Sequence, residues 1–274
     1  MTRSAIRQQL GARLAKCESI LALWEGGSAA FGWADEYSDL DLALLYKLGA
    51  RDQIWRVINQ AFDELGGVAL RWNDPKQFPS GGGKRIFRPK GADSWLQVDI
   101  GIIPESAKQL YNQPERHGRI LIIFDRTGRL TPTAWDEEGN RQRACISLHQ
   151  NLMRWHIHYG WFRKEVARGR PVDAFVMHYH MTIRPLMMIL NLRYRPSRWD
   201  FGLRYLKEEL PPEVVKVVER LCYVPDPSAL EERFCEAEQL LRTTAKELEE
   251  RGVIPIDPSG FDILPGLTDR EVLV

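Results

Sequence analysis

Hydrophobic periodicity changes character partway along this chain. Up to about residue 130, short apolar runs alternate with glycine-rich turns. Beyond about 140, apolar residues recur at spacings of three and four over long stretches. Short runs bounded by turns read as strands, and sustained three–four spacing reads as amphipathic helix. The expected fold is therefore α+β, a mixed sheet with flanking helices over 1–135, followed by an all-α helical bundle over 136–274. A length of 274 residues suits two such domains.

In the first half, helices are expected over 4–18, from Ser28 to about Trp33, and from Asp52 to Leu65. Strands are expected over 21–24, 40–46, 68–72, 95–103 and 119–124. The stretch 74–94 carries Pro75, Pro79, Pro89 and Gly81-Gly82-Gly83, and reads as a long loop or open hairpin. In the second half, Leu148, Leu152, Trp155, Tyr159, Phe162 and Val166 predict one amphipathic helix ended by Gly169 and Pro171. A second helix runs over 172–194, kinked at Pro185. A third opens at Pro211-Pro212 and reaches Cys222. A fourth, capped by Ser228, continues through Glu250. The tail from Val253 has three prolines and little periodicity, and is expected to lie along the surface.

Composition removes several classes of function. Hydrophobic residues at 44% and charged residues at 27% exclude a disordered chain. With 38 Lys and Arg against 37 Asp and Glu, the chain lacks the basic excess of a dedicated nucleic-acid binder. No apolar run approaches the roughly 18 residues of a membrane helix, and the N-terminus lacks the apolar block of a secretory signal. Cys17, Cys145, Cys222 and Cys235 are scattered, with no CxxC pair, which argues against a disulfide framework or a cysteine zinc site. The expectation is a cytoplasmic protein with reduced thiols, a monomer or homodimer, with neither membrane nor nucleic acid as partner.

Chemistry concentrates in Gly26-Gly27-Ser28 and, after ten residues, Asp39-Leu40-Asp41-Leu42. Residues two apart on a strand project to the same face, so the carboxylates of Asp39 and Asp41 point together. Two such carboxylates repel unless a cation sits between them, and Mg²⁺ takes carboxylate oxygens plus substrate phosphates. The Gly27-Ser28 turn offers backbone N–H groups and a hydroxyl to an anion. Asp99 interrupts another apolar run, Trp95 to Ile103, which costs free energy unless the charge is paired or bound to metal. If the two strands are neighbours, Asp39, Asp41 and Asp99 converge and could hold two metal ions around a phosphoryl or nucleotidyl displacement.

This segment resembles the nucleotidyltransferase superfamily of DNA polymerase β. The pattern there is apolar-Gly-[Gly/Ser], about nine to thirteen residues, then Asp-apolar-[Asp/Glu]-apolar. Here it stands as Gly27-Ser28 followed by Asp39-Leu40-Asp41-Leu42, with Asp99 as the later strand carboxylate. Gly26 departs from the pattern where an apolar residue is usual, so the strand entering the turn is expected to end early. Ile122-Ile123-Phe124-Asp125-Arg126-Thr127-Gly128 resembles the last strand and turn of such domains. The layout with a helical C-terminal half is similar to aminoglycoside and lincosamide adenylyltransferases. The resemblance implies Mg²⁺-dependent transfer of a nucleoside monophosphate, often AMP from ATP, to a hydroxyl of a small-molecule acceptor. It implies that Asp39 and Asp41 bind metal, that Asp99 completes the site, and that Gly27 and Ser28 hold the triphosphate.

Other signals are weaker. Lys84, Arg85 or Arg88 could fold over the triphosphate, although Gly81-Gly82-Gly83-Lys84 lacks the spacing of a P-loop. Glu105, just past the Asp99 strand, is a candidate general base. Among Arg184, Arg193, Arg195, Arg198, Arg204 and Lys207, one or two could reach the phosphates; Arg198 and Lys207 are taken as nucleotide-binding candidates. His156/His158 and His178/His180 fall on helices, where residues two apart do not face each other, so zinc is not expected. The aromatic-rich helices are expected to line an acceptor pocket, the acceptor possibly aminoglycoside-like. Adenylylation of a protein or RNA, and nucleotide binding without catalysis, are the alternative readings.

Overall fold

Alternation of buried and half-exposed residues opens two of the central strands. In the computed structural model, which describes residues 1–75, 81–158 and 160–254, β2 (Leu40–Tyr46) buries Leu40, Leu42 and Leu44 on one face and leaves Asp41 and Ala43 on the other. The strand β5 (Val98–Pro104) repeats that pattern with Val98, Ile100 and Ile102 against Asp99 and Gly101. The chain divides into two compact units, Met1–Trp135 and Asp136–Val274.

The first unit is a six-stranded mixed sheet in the order β3-β4-β5-β2-β1-β6. It contains β1 (Ile20–Glu25), β3 (Val68–Asn73), β4 (Gly83–Pro89) and β6 (Leu121–Asp125) as well. The β2–β5 pair is parallel and the others antiparallel. Helices α1 (Arg3–Leu14) and α3 (Arg51–Asp63) cover one face, with Ile6, Leu10, Ile54, Ile58 and Phe62 packed on the buried β2 and β5 residues. Phe62 stacks on Phe87 of β4 at 4.3 Å. On the other face a smaller cluster gathers Ala22, Leu45, Ile103 and Leu130. Two short helices, α2 (Gly27–Ala30) and α4 (Pro114–His117), lie in the connections.

The second unit is helical: α5 (Glu137–Ile157), α6 (Trp161–Ala167), α7 (Pro171–His178), α8 (Arg184–Tyr194), α9 (Leu206–Glu209), α10 (Pro212–Cys222) and α11 (Leu230–Glu250). Every residue from Pro185 to Leu192 is buried, so α8 is the central helix. Leu148, Trp155, Leu186, Leu221, Phe234 and Leu241 are among the side chains of its core.

Four expectations are refined or corrected. Of the two readings of 74–94 the open hairpin holds: β4 pairs antiparallel with β3, and Arg85 to Phe87 find ladder partners on both sides. The single helix expected over 148–166 is two, broken at Gly160, whose φ of +75° ends regular helix. The kink at Pro185 is a turn of π-helix over Tyr179–Ile183, in which the Arg184 N–H donates to Tyr179 O. Proline has no N–H and its ring crowds the carbonyl four residues back, so the preceding turn widens. The fourth helix is preceded by a 3₁₀ turn, Pro227–Ala229, capped by the Asp226 carboxylate accepting from Ser228 N at 2.8 Å rather than by Ser228. Pro79, Tyr159, the side chain of His156 and the tail from 255 onward lie outside the described residues. All four cysteines are free thiols, and among the described residues no helix is long and apolar enough to cross a membrane.

Candidate active site

The parallel register sets Asp41 directly beside Asp99, with Leu40 opposite Val98 and Leu42 opposite Ile100. Because both strands alternate in phase, the two carboxylates emerge on the same face. Asp39 precedes β2 by one residue. Its Oδ1 accepts from Gln97 N at 3.1 Å, which ties it to the residue entering β5. Two strand entrances thus bring three aspartates to one end of the sheet.

The turn before them is shaped around Asp41. Strand β1 runs to Glu25, and Gly26 N still donates to Asp41 O at 2.9 Å, so the unusual glycine does not end the strand early. Gly27 has a φ of +60°, and a Cβ added there would lie 1.9 Å from Asp41 Oδ2. Only glycine allows that backbone conformation and that approach together. Ser28 follows, half-buried, and its carbonyl accepts from Phe31 N and Trp33 N, which closes the turn. Gly118 supports it from behind: a Cβ there would be 2.6 Å from Ala30 O, the same carbonyl that accepts from Arg119 N at 2.7 Å.

A buried charge anchors the strand that feeds this turn. Glu25 is 1% exposed and accepts from both Arg3 and Arg7 of α1. Arg3 also donates to Asp39 O at 3.1 Å, so one guanidinium links β1 to the entrance of β2. This clasp was not anticipated from the sequence. The signal available was a carboxylate closing an apolar run, which demands a cation when buried.

Lys84, on β4, pairs with one of the aspartates: its Nζ lies 2.6 Å from Asp99 Oδ2. Asp99 Oδ1 is buried and has no hydrogen-bond partner among the described residues. Arg85 points elsewhere, stacked over the Trp55 ring at 4.1 Å. With Asp99 drawn to Lys84 and Asp39 to Gln97, the three carboxylates are neighbours in the sheet but not one cluster. Among the described residues no group of three His, Cys, Asp or Glu side chains is placed to hold a metal ion. Two exposed rings flank the site: Tyr37 and Trp95 meet at 5.7 Å, and Trp95 Nε1 donates to Glu36 O.

Several other sequence candidates are engaged elsewhere. Glu105 lies past the opposite end of β5 from Asp99, where its carboxylate accepts from Leu48 N at 2.7 Å, so it is not a base for this site. Arg198 belongs to the second unit, where it and Arg195 pair with Glu209. Lys207 is exposed, 3.9 Å from Glu219, and Arg193 pairs with Glu247. His178 is buried, with Nε2 3.1 Å from Leu221 O, and burial holds its imidazole below the usual histidine range. His180 is exposed on the π turn, so that pair does not chelate.

No family model and no curated protein sequence matches the chain. In structure it is similar to an aminoglycoside 6-adenyltransferase from Bacillus subtilis, at 13% identity and a TM-score of 0.31 over 97% of this chain and 94% of that one. It is also similar to a nucleotidyltransferase-like protein from Exiguobacterium sibiricum 255-15, at 14% identity and a TM-score of 0.35 over 90% of this chain and 77% of that one.

Proposed function

We propose that this chain is a nucleotidyltransferase that moves a nucleoside monophosphate, AMP from ATP in the first instance, to a hydroxyl of a small molecule. The observation that carries this reading is Asp41 set beside Asp99 in parallel register, with Gly27 denied any side chain by the Asp41 carboxylate. With no side chain at Gly27 the Asp41 carboxylate lies against the turn, so a cation on Asp41 would meet phosphate oxygens beside the turn backbone.

Carboxylates at two strand entrances are the donor chemistry of a hard divalent cation, and one Asp99 oxygen is buried without a partner among the described residues, although the three are not gathered around one point. Asp39, Asp41 and Asp99 would hold Mg²⁺, which when bound would screen the phosphates and stabilise the leaving pyrophosphate. The chain supplies the rest. Gly27 admits the triphosphate close to Asp41, and the Ser28 hydroxyl donates to a phosphate oxygen. Asp99 takes the proton of the acceptor hydroxyl as the hydroxyl oxygen bonds to the α-phosphorus. The bond from the α-phosphorus to the bridging oxygen breaks, and its electrons leave with pyrophosphate.

The test uses the full chain, Mg²⁺ and ATP labelled at the α-phosphorus, with a small-molecule extract and, separately, a macromolecular fraction. Label in a small-molecule product with matching pyrophosphate, both lost in Asp41→Asn, is the expected result. Label on protein or RNA would move the acceptor class. A second reading has one observation behind it. The Lys84 ammonium already neutralises Asp99, as suits a scaffold that binds nucleotide without transferring it. Nucleotide binding with no pyrophosphate from either fraction would favour that reading and overturn the first.

A further inference from the structure

The second unit carries a groove lined by none of the residues assigned to the site above. An open cleft of about 230 Å³ is lined by Ser147, Asn151, Tyr179, Arg184, Trp199 and Asp200, together with Met187 and Met188. An adjoining cleft of about 240 Å³ shares Asn151 and Arg184 and adds Arg154 and His180. The shared residues make the two one surface.

Charge sets this surface apart. Arginines in this unit are generally matched to carboxylates: Arg163 to Glu231, Arg193 to Glu247, Arg195 and Arg198 to Glu209, Arg242 to Glu238. Arg154 and Arg184 are exposed and have no carboxylate partner among the described residues. Among the described residues the one carboxylate lining either cleft is Asp200, whose charge also acts on Arg195. Two guanidiniums against one shared carboxylate leave the groove positive, and a guanidinium fork matches phosphate or carboxylate oxygens.

The groove is also built rather than incidental. Tyr179 and His180 lie in the π turn and Arg184 follows it. An extra residue per turn re-aims side chains, and such turns recur at functional sites. Opposite, the 195–204 segment is fixed by a buried network. Asn191 donates to Trp199 O and Gly202 O, Arg195 donates to Asn191 Oδ1 and Gly202 O, and Trp199 Nε1 donates to Asn140 Oδ1. The Trp199 face is therefore held in place before any ligand arrives.

We propose that this groove binds a small molecule bearing a phosphate or carboxylate on a planar or apolar body. Arg154 and Arg184 hold the anion, and the body lies against Trp199, Tyr179 and the Met187–Met188 pair. This assignment goes beyond the nucleotidyl-transfer reading and does not depend on it. It also implies that a polycationic molecule is a poor ligand for this face.

The test uses three probes that share one ring and differ in charge: phenyl phosphate, benzoate and benzylamine. Each is titrated by calorimetry into the full chain in EDTA, and into Arg154→Ala/Arg184→Ala, Arg184→Lys, Trp199→Phe and Asp41→Asn. At least one anion should bind with a dissociation constant below about 10 mM, the range open to a ligand of this size. The stronger of the two anions names the group. Affinity should fall about tenfold or more in the double variant and partly in Arg184→Lys, which keeps charge but loses the fork. It should weaken in Trp199→Phe and stay unchanged in Asp41→Asn, the variant that disables the first unit's site. Benzylamine binding as well as the anions, full affinity in a folded double variant, or no anion binding at all would overturn the proposal.

Discussion

Gly27 is the residue at which backbone conformation and chemistry meet. Its φ of +60° and the 1.9 Å approach to Asp41 Oδ2 exclude every side chain. Gly27→Ala should destabilise the chain by roughly 2 kcal/mol, from the left-handed backbone and the forced movement of Asp41, and should remove nucleotide binding. Urea unfolding and a nucleotide titration check the two effects separately. Lys84 makes the opposite kind of prediction. Its pair with Asp99 is partly exposed, with side chains 39% and 22% accessible, so its net contribution is about 1 kcal/mol or less. Lys84→Met should lower the melting temperature slightly. It should also tighten divalent-cation binding severalfold, because the cation no longer competes with an ammonium for Asp99. Mn²⁺ titration followed by electron paramagnetic resonance reads this directly, and unchanged Mn²⁺ affinity would contradict competition at Asp99.

Between elements, the α1–β1 clasp carries the support for the site. Removing the charge in Glu25→Gln leaves Arg3 and Arg7 facing a buried amide and should cost about 2–3 kcal/mol, seen as a lower urea midpoint with the slope unchanged. The strands that matter most were legible because β2 and β5 alternate cleanly: Leu40-Asp41-Leu42 and Val98-Asp99-Ile100 each announce a buried face and an Asp on the other. Their pairing was not legible, since it is set by long-range register and not by local pattern. Strand β4 was legible only as one side of an open hairpin, for a related reason. Proline and glycine flank it, and its half-buried Lys84 and Arg85 hide the alternation. The broken helix at Gly160 shows the converse, since apolar spacing continues across a glycine whose positive φ interrupts the helix. In the arginine-rich stretch, types and spacing alone could not separate Arg195 and Arg198, committed to Glu209, from the unmatched Arg184.

At the scale of the molecule, each unit has its own apolar core, so stability should respond to perturbations unit by unit. Acid offers one such perturbation. His117, in the first unit, is pushed down to about 4, first by burial and then by the Arg116 charge. Its folded value lies below the unfolded one near 6.5. Stability is therefore complete above pH 6.5 and is lost as the pH falls from there toward 4, where the unfolded chain takes up the proton first. After allowance for partial exposure the loss is on the order of 1–2 kcal/mol. His117→Gln should flatten the melting temperature across that window, whereas a slope as steep as wild type would assign it to other groups. The central claim, a nucleotide site built on Asp41 and Asp99, is tested most directly by thermal melts of the full chain. Each of the four nucleoside triphosphates is added with and without Mg²⁺, to wild type and Asp41→Asn. Ligand at a hundred times its dissociation constant adds about 2.7 kcal/mol, a rise of a few degrees. A Mg²⁺-dependent rise with one triphosphate, absent in Asp41→Asn, is the result predicted; an equal rise in the variant, or none with any triphosphate, would contradict it.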